Sequence, residues 1–239
     1  MKTNNFIILS LFVLLFGTNS CVEEAFLDGN YDLQTESRRA SGFEEIAASG
    51  AFKVFVEAGD NYSVEVKAES NLLSYIETDV VDNKLKIRTR GVHILHENYP
   101  IEVFITTPVL EGLSLSGSGM IKTDGFVTDE FRIAISGSGE IDTRVSAEKV
   151  KANVAGSGTI YLSGDANEGE FVISGSGKIE SYDFDQRHCE SVISGSGDMY
   201  VNASETIYAR ISGSGRVFYI NHPEVHTSIS GSGRVINDN

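Results

Sequence analysis

The sequence predicts an all-β protein, a right-handed single-stranded parallel β-helix with coils of 18–20 residues and some antiparallel strand pairs before them. Three observations carry this. Fourteen of the 24 glycines stand in seven copies of Gly-Ser-Gly; the copies recur at steps of 20, 19, 19, 20, 18 and 18 residues; and each copy is flanked by apolar residues at fixed offsets. A period this short is too small for a helix pair or a propeller blade, but it suits a solenoid coil that closes its core only by stacking on its neighbours.

The corners are Gly117-Ser118-Gly119, Gly137-Ser138-Gly139, Gly156-Ser157-Gly158, Gly175-Ser176-Gly177, Gly195-Ser196-Gly197, Gly213-Ser214-Gly215 and Gly231-Ser232-Gly233. Two residues before them stand Leu115, Ile135, Val154, Ile173, Ile193, Ile211 and Ile229. Two residues after them stand Ile121, Ile141, Ile160, Ile179, Met199, Val217 and Val235. Both columns point inward, and a sharp turn between two inward residues needs backbone angles that a Cβ resists. Stacked corners align serines above one another (Ser116, Ser136, Ser174, Ser194, Ser212 and Ser230, and the serines of the corners themselves), which predicts hydroxyl ladders. Seven coils at the strand spacing make a rod on the order of 34 Å, wound right-handed as parallel crossovers are.

Upstream, Ala51–Glu57 and Tyr62–Lys67 alternate around Gly59-Asp60-Asn61 and read as a strand pair. Thr78–Val81 and Lys84–Thr89 read as another, joined at Asp82-Asn83. Ser70 is placed to cap a short helix over 71–76, and Ile101–Ile105 alternates into the repeats. Residues 21–41 are polar and aperiodic, as a tether would be.

At the start, Lys2 and the apolar stretch Phe6–Phe16 form a secretory signal too short to span a bilayer. The segment Gly17-Thr18-Asn19-Ser20-Cys21 resembles a bacterial lipoprotein signal, which implies cleavage after residue 20 and a lipidated Cys21. An outer-membrane lipoprotein is expected, and the following Val22-Glu23-Glu24 has two readings: it resembles a surface-export signal, which implies exposure at the surface, or it is simply an acidic tether. The sequence carries 19 basic and 34 acidic residues, a net charge of −15, and loss of Lys2 with the signal makes it −16. That acidity argues against nucleic acid as a partner. With Cys21 lipidated, Cys189 is the only thiol left, so no intramolecular disulfide forms.

The stretches Phe43–Ala48, Ser49-Gly50, Ala51-Phe52-Lys53-Val54, Asn71-Leu72-Leu73, Asn83-Lys84-Leu85-Lys86-Ile87 and Thr107-Pro108-Val109-Leu110-Glu111-Gly112-Leu113-Ser114-Leu115-Ser116-Gly117-Ser118-Gly119 resemble the putative auto-transporter adhesin head GIN domain family over about residues 42–236. The resemblance implies a β-helical domain, here 42–239, of a secreted or lipid-anchored bacterial protein, and by the family's name adhesion. It brings no catalytic or binding residues with it.

The glycines lack the lysine and helix of a phosphate loop and the recurrent acid of a calcium repeat. His93 and His96 near Glu97, and His222 with His226, lack the convergence a metal needs, so neither metal nor cofactor is expected. His188 and Cys189 should point to opposite faces. One outward column, three residues after each second glycine, runs Lys122, Asp142, Tyr161, Glu180, Tyr200, Phe218 and Ile236. Asp142 and Glu180, two coils apart at about 9.6 Å, are the carboxylates a polysaccharide-cleaving enzyme would use. Tyr161, Tyr200 and Phe218, with Asp142 and Glu180 in the same column, are the candidate binding residues, and Tyr182, Tyr208, Tyr219, Phe126 and Phe184 are further candidates for an aromatic binding face. The leading expectation is a non-catalytic surface protein that binds an extracellular glycan or protein. The alternatives are that enzyme, and an assembly module whose last coil pairs with another copy.

Overall fold

A computed structural model describes residues 26–239; the signal and Cys21 lie outside the described residues. Before the repeats come β1 (Phe26–Asp28), β2 (Leu33–Arg38), β3 (Glu45–Ser49), β4 (Lys53–Ala58), β5 (Ser63–Glu69), β6 (Ile76–Val81), β7 (Lys84–Thr89), β8 (Ile94–His96) and β9 (Glu102–Thr107). The coils are β10 (Gly112–Gly117), β11 (Met120–Gly137), β12 (Glu140–Gly156), β13 (Thr159–Gly175), β14 (Lys178–Gly195) and β15 (Asp198–Gly213). The last coils are β16 (Arg216–Ile220), β17 (Glu224–Gly231) and β18 (Arg234–Asn237).

The expected β-solenoid forms. Each of β11 to β15 runs from one Gly-Ser-Gly corner to the next and pairs in parallel with the coil before and after it, equivalent corner residues in register. Both flanking columns are buried through the sixth coil, and only at the last corner does the pattern open, where Ile229 is 42% exposed. Toward the start the sheet splits at β11. One branch continues through β10, β3, β7 and β6, the other through β4, β9, β5 and β2.

The corner shows why glycine recurs. Gly175 adopts φ +128°, and a Cβ on it would sit 2.5 Å from the carbonyl oxygen of Gly156 in the previous coil. Gly177 has an ordinary φ and a different reason: a Cβ would meet Val154 Cγ1 at 2.4 Å, so the space it leaves is filled by the inward side chain of the coil before. The close approach is what lets Ser176 N–H donate to Gly156 C=O at 2.9 Å and Lys178 N–H to Gly158 C=O at 2.9 Å. Ser49-Gly50 is an eighth corner: Gly50 has φ +132°, and its carbonyl accepts from Gly119 N–H.

Four expectations are corrected. The serines do not form hydroxyl ladders: none of their hydroxyls hydrogen-bonds within the described residues, and their backbone N–H groups set the register instead. A side-chain ladder exists elsewhere and is built of amides. Asn202 donates to Asp185 Oδ1 at 2.7 Å, Asn221 to Asn202 Oδ1, and Asn239 to Asn221 C=O at 2.7 Å. Second, β4 and β5 are not partners, because β9 lies between them, parallel to β4 and antiparallel to β5, and buries Val103 and Ile105. Third, the short helix is a single 3-10 turn, Leu73–Tyr75, with no side-chain cap; the Ser70 hydroxyl accepts from Asn30. Fourth, part of the expected tether is ordered sheet, with β1 parallel to β8 and β2 antiparallel to β5. The β6–β7 hairpin forms as expected, Asp82 and Asn83 both at positive φ.

Glu69 fastens the former tether. Its carboxylate is fully buried and accepts from Tyr31 N–H at 2.6 Å, Asn98 N–H at 2.8 Å and Asn98 Nδ2 at 2.9 Å. Burial pushes its pKa up; the hydrogen bonds outweigh that and hold it below the ordinary carboxylate value.

Two predictions follow from these contacts. Gly175→Ala should destabilise the protein by at least about 2 kcal/mol in urea unfolding, whereas Gly125→Ala, with nothing nearer than the Arg144 side chain at 3.8 Å, should change stability by less than about 0.5 kcal/mol. Because Glu69 has a lowered pKa when folded, its stabilisation is present above the unfolded carboxylate pKa and is lost as pH falls through the folded one. Hydrogen exchange over residues 26–31 should therefore accelerate at acid pH in the wild type, beyond its intrinsic pH dependence, and Glu69→Gln should remove that acid-specific increase.

Candidate binding face

Strand alternation turns the third residue after each corner outward, and parallel register stacks these residues into one ridge. The structure brings the sequence-predicted set together: Lys122, Asp142, Tyr161, Glu180, Tyr200, Phe218 and Ile236 are direct partners coil by coil. The eighth corner extends the ridge to Phe55, which pairs with Lys122, and β9 adds Phe104 beside Phe55. Phe55 was legible in the sequence, since it stands three residues after Phe52, the position equivalent to a second glycine. Phe104 was not, because β9 has no corner to align it.

The rings fall into three groups. Phe55 and Phe104 stack at 5.4 Å and 16°, over a depression of about 330 Å3 that Glu57, Ser63, Glu65 and Thr106 complete. Tyr161, 42% exposed, stands alone in the middle. Tyr200 and Phe218 stack at 4.8 Å and 7°, with Tyr182 edge-on to Tyr200 at 5.4 Å. Cations cover this last group: Lys178 Nζ lies 4.8 Å from the centre of Tyr200, and the Arg216 guanidinium 5.3 Å from that of Phe218. Tyr182 donates its hydroxyl to Asp238 at 2.8 Å; burial first, and that carboxylate second, push its pKa up.

The carboxylates are engaged with cations rather than facing each other. Asp142 accepts from Lys122 Nζ at 2.7 Å, Glu180 pairs with Lys178, and Tyr161 separates them in the column. Lys122, Lys178 and Arg216 are each held in the charged form above their ordinary pKa, chiefly by hydrogen bonds to Asp142, Glu180 and Asp198. The ridge therefore presents alternating flat rings and neutralised ion pairs. Such a surface can stack on the apolar faces of a sugar or peptide and hydrogen-bond its edges.

Other candidates separate from the ridge. Phe126 and Phe184 are core residues, and Tyr219 packs against the core. Tyr208 lies on another face, stacked on His226 at 4.7 Å. His96 sits against Phe26 and His93 against Tyr75, and no group of three metal-ligating side chains converges among the described residues. A trough of about 480 Å3, which the sequence reading did not single out, has Ser114, Ala134 and Asn153 as its floor; the charges on its rim are paired, Lys84 with Glu45 at 2.7 Å and Lys151 with Glu130 at 2.9 Å. His188 and Cys189 point oppositely, as expected. Burial pushes the Cys189 thiol up to about 12, against smaller opposing effects of Ser191 and Gln186.

The described residues thus form a parallel β-solenoid with one in-register outward ridge. The chain belongs to the putative auto-transporter adhesin, head GIN domain family, whose model matches residues 42–223. Its fold is similar to that of crystal structures of a putative adhesin from Bacteroides fragilis NCTC 9343 (TM-score 0.84, 24% identity, 88% of this chain and 99% of that one) and a putative lipid binding protein from Parabacteroides distasonis ATCC 8503 (0.76, 25%, 88% and 98%). It is also similar to that of a putative adhesin from Parabacteroides merdae ATCC 43184 (0.74, 22%, 89% and 98%). No curated protein matches it.

With Cys21 replaced by Ser, a thiol reagent such as DTNB should find no reactive group in the native protein at pH 8 and one group after denaturation.

Proposed function

We propose that this chain is an exported, lipid-anchored surface protein whose β-solenoid acts as a non-catalytic adhesion module, contacting an extracellular glycan or protein along the aromatic ridge. The observation that carries the reading is the in-register run from Phe104 and Phe55 through Tyr161 to Tyr200 and Phe218. Rings held by a rigid scaffold offer contact area at small entropic cost on binding. The family's adhesin description supports an exported, surface-facing role. Against a polysaccharide-cleaving reading stands the geometry of Asp142 and Glu180, each bonded to its own lysine on an open ridge, whereas glycoside hydrolysis needs one carboxyl group held protonated across a cleft from the other.

The test is a glycan and matrix-protein array probed with the purified chain. A ligand bound by the wild type should bind the double variant Tyr161→Ala and Tyr200→Ala at least tenfold more weakly, as loss of central aromatic contacts costs about 1 kcal/mol or more each. Val127→Ala, an exposed change off the ridge, should leave binding unchanged. Wild-type affinity in the double variant would remove the ridge from the function. Cleavage of an acidic polysaccharide that disappears in Asp142→Asn would replace adhesion by catalysis.

A further inference from the structure

The ribbon of β1 and β8 exposes a second apolar surface, distinct from the ridge. Phe26 pairs directly with Ile94, and the Phe26 ring lies 5.0 Å from that of His96. Phe26 is 54% exposed, and Val92, in the turn leading into β8, is 71% exposed. Further along the chain, Tyr31 and Tyr99 meet edge to face at 6.2 Å, both exposed. Leu27 and Leu95 take the other side of the ribbon, with Leu95 packed against the core. The ribbon has an inner face that attaches it and an outer face that nothing in the described fold covers.

Its place in the chain says what covers it. Phe26 is five residues from Cys21, and five residues reach at most about 18 Å even when fully extended. A bilayer holding Cys21 would therefore lie within one short span of Phe26. The residue types fit that neighbour: tyrosine and histidine combine an apolar body with a polar tip, as side chains at the lipid headgroup level do, and Phe26, Val92 and Ile94 add purely apolar area beside them. The charges beside them are the acids Asp28 and Glu97, so the matching surface is zwitterionic rather than anionic.

We infer that the outer face of the β1–β8 ribbon, Phe26, Val92 and Ile94 with the Tyr31–Tyr99 pair, seats in the headgroup region of the membrane that carries the anchor. The inference rests on the anchored reading of Cys21 and adds an orientation to it. The ribbon is fastened through Glu69 and Asn98 at the β2–β5 edge, the end of the sheet away from β17 and β18. Seating it holds the coils upright, with Tyr200 and Phe218 far from the bilayer. An anchored chain presents this face at high effective concentration, so a surface too small to bind alone can still dock.

The protein contains no tryptophan, which makes an introduced one a unique probe. Residues 21–239 retain the whole described fold and are attached to phosphatidylcholine vesicles by coupling Cys21 to a maleimide lipid; Cys189 is buried and does not compete. This attachment works whether or not a cell lipidates Cys21. Failure of the anchored reading is seen separately, as absence of the wild-type chain from the membrane fraction of an expressing Gram-negative host. In Val92→Trp, emission should shift to the blue and be quenched at least twofold by brominated phosphatidylcholine. Val127→Trp, at a site 86% exposed on the solenoid flank, should show neither effect. Because tryptophan itself favours interfaces, hydrogen exchange of the coupled wild type is the second measurement. Residues 92–99 should exchange at least threefold more slowly than in the uncoupled chain. Equal quenching at both tryptophan positions, or unchanged exchange over 92–99, overturns the inference.

Discussion

The structure depends on how closely one backbone can lie over the next at the corner. A carbonyl oxygen of one glycine lies only 2.3–2.8 Å from where the Cβ of the glycine above would be, and that contact brings the backbone nitrogen of every corner serine from Ser138 to Ser232 within 2.8–3.0 Å of the carbonyl of the glycine beneath. Once a corner is seated, every residue of the coil falls over its counterpart. Inward positions form a continuous apolar column and outward positions form the ridge. A shift of one residue would turn both columns inside out. The same contact that defines the core therefore defines the surface.

The outer faces carry a large acidic excess and still contain many paired charges. Stacking puts Lys122 beside Asp142, Lys149 beside Glu170 and Arg216 beside Asp198, so opposite charges alternate from coil to coil. Exposed pairs of this kind add little to stability, because water screens them and long side chains lose freedom in forming them. In the proposed binding role their effect is on recognition. They neutralise carboxylates that would repel an acidic ligand and hold cations against the rings of Tyr200 and Phe218.

The N-terminal part solves a different problem. A stack of parallel coils needs its first edge closed, and the branch through β4, β9, β5 and β2 does this with antiparallel strands and the buried carboxylate of Glu69. Gly29 belongs to the same arrangement: a Cβ there would lie 2.0 Å from the Glu69 carboxylate, so the chain passes over the buried charge only because the residue is glycine.

What the sequence determined by itself is the solenoid and the middle of its ridge. Each coil meets a near copy of itself, so the pairing partner is written in the period, and the in–out alternation follows from the apolar columns. Asp142, Tyr161, Glu180, Tyr200 and Phe218 were legible as one line for that reason. Only the tertiary structure decided the rest: β9 between β4 and β5, the strands inside residues 26–38, the place of Phe104 on the ridge, and the amide ladder of Asn202, Asn221 and Asn239 in place of one built on serine hydroxyls. Those segments have no period. Their partners are chosen by closure over long chain distances, where several strands of similar alternation compete and no local pattern distinguishes them.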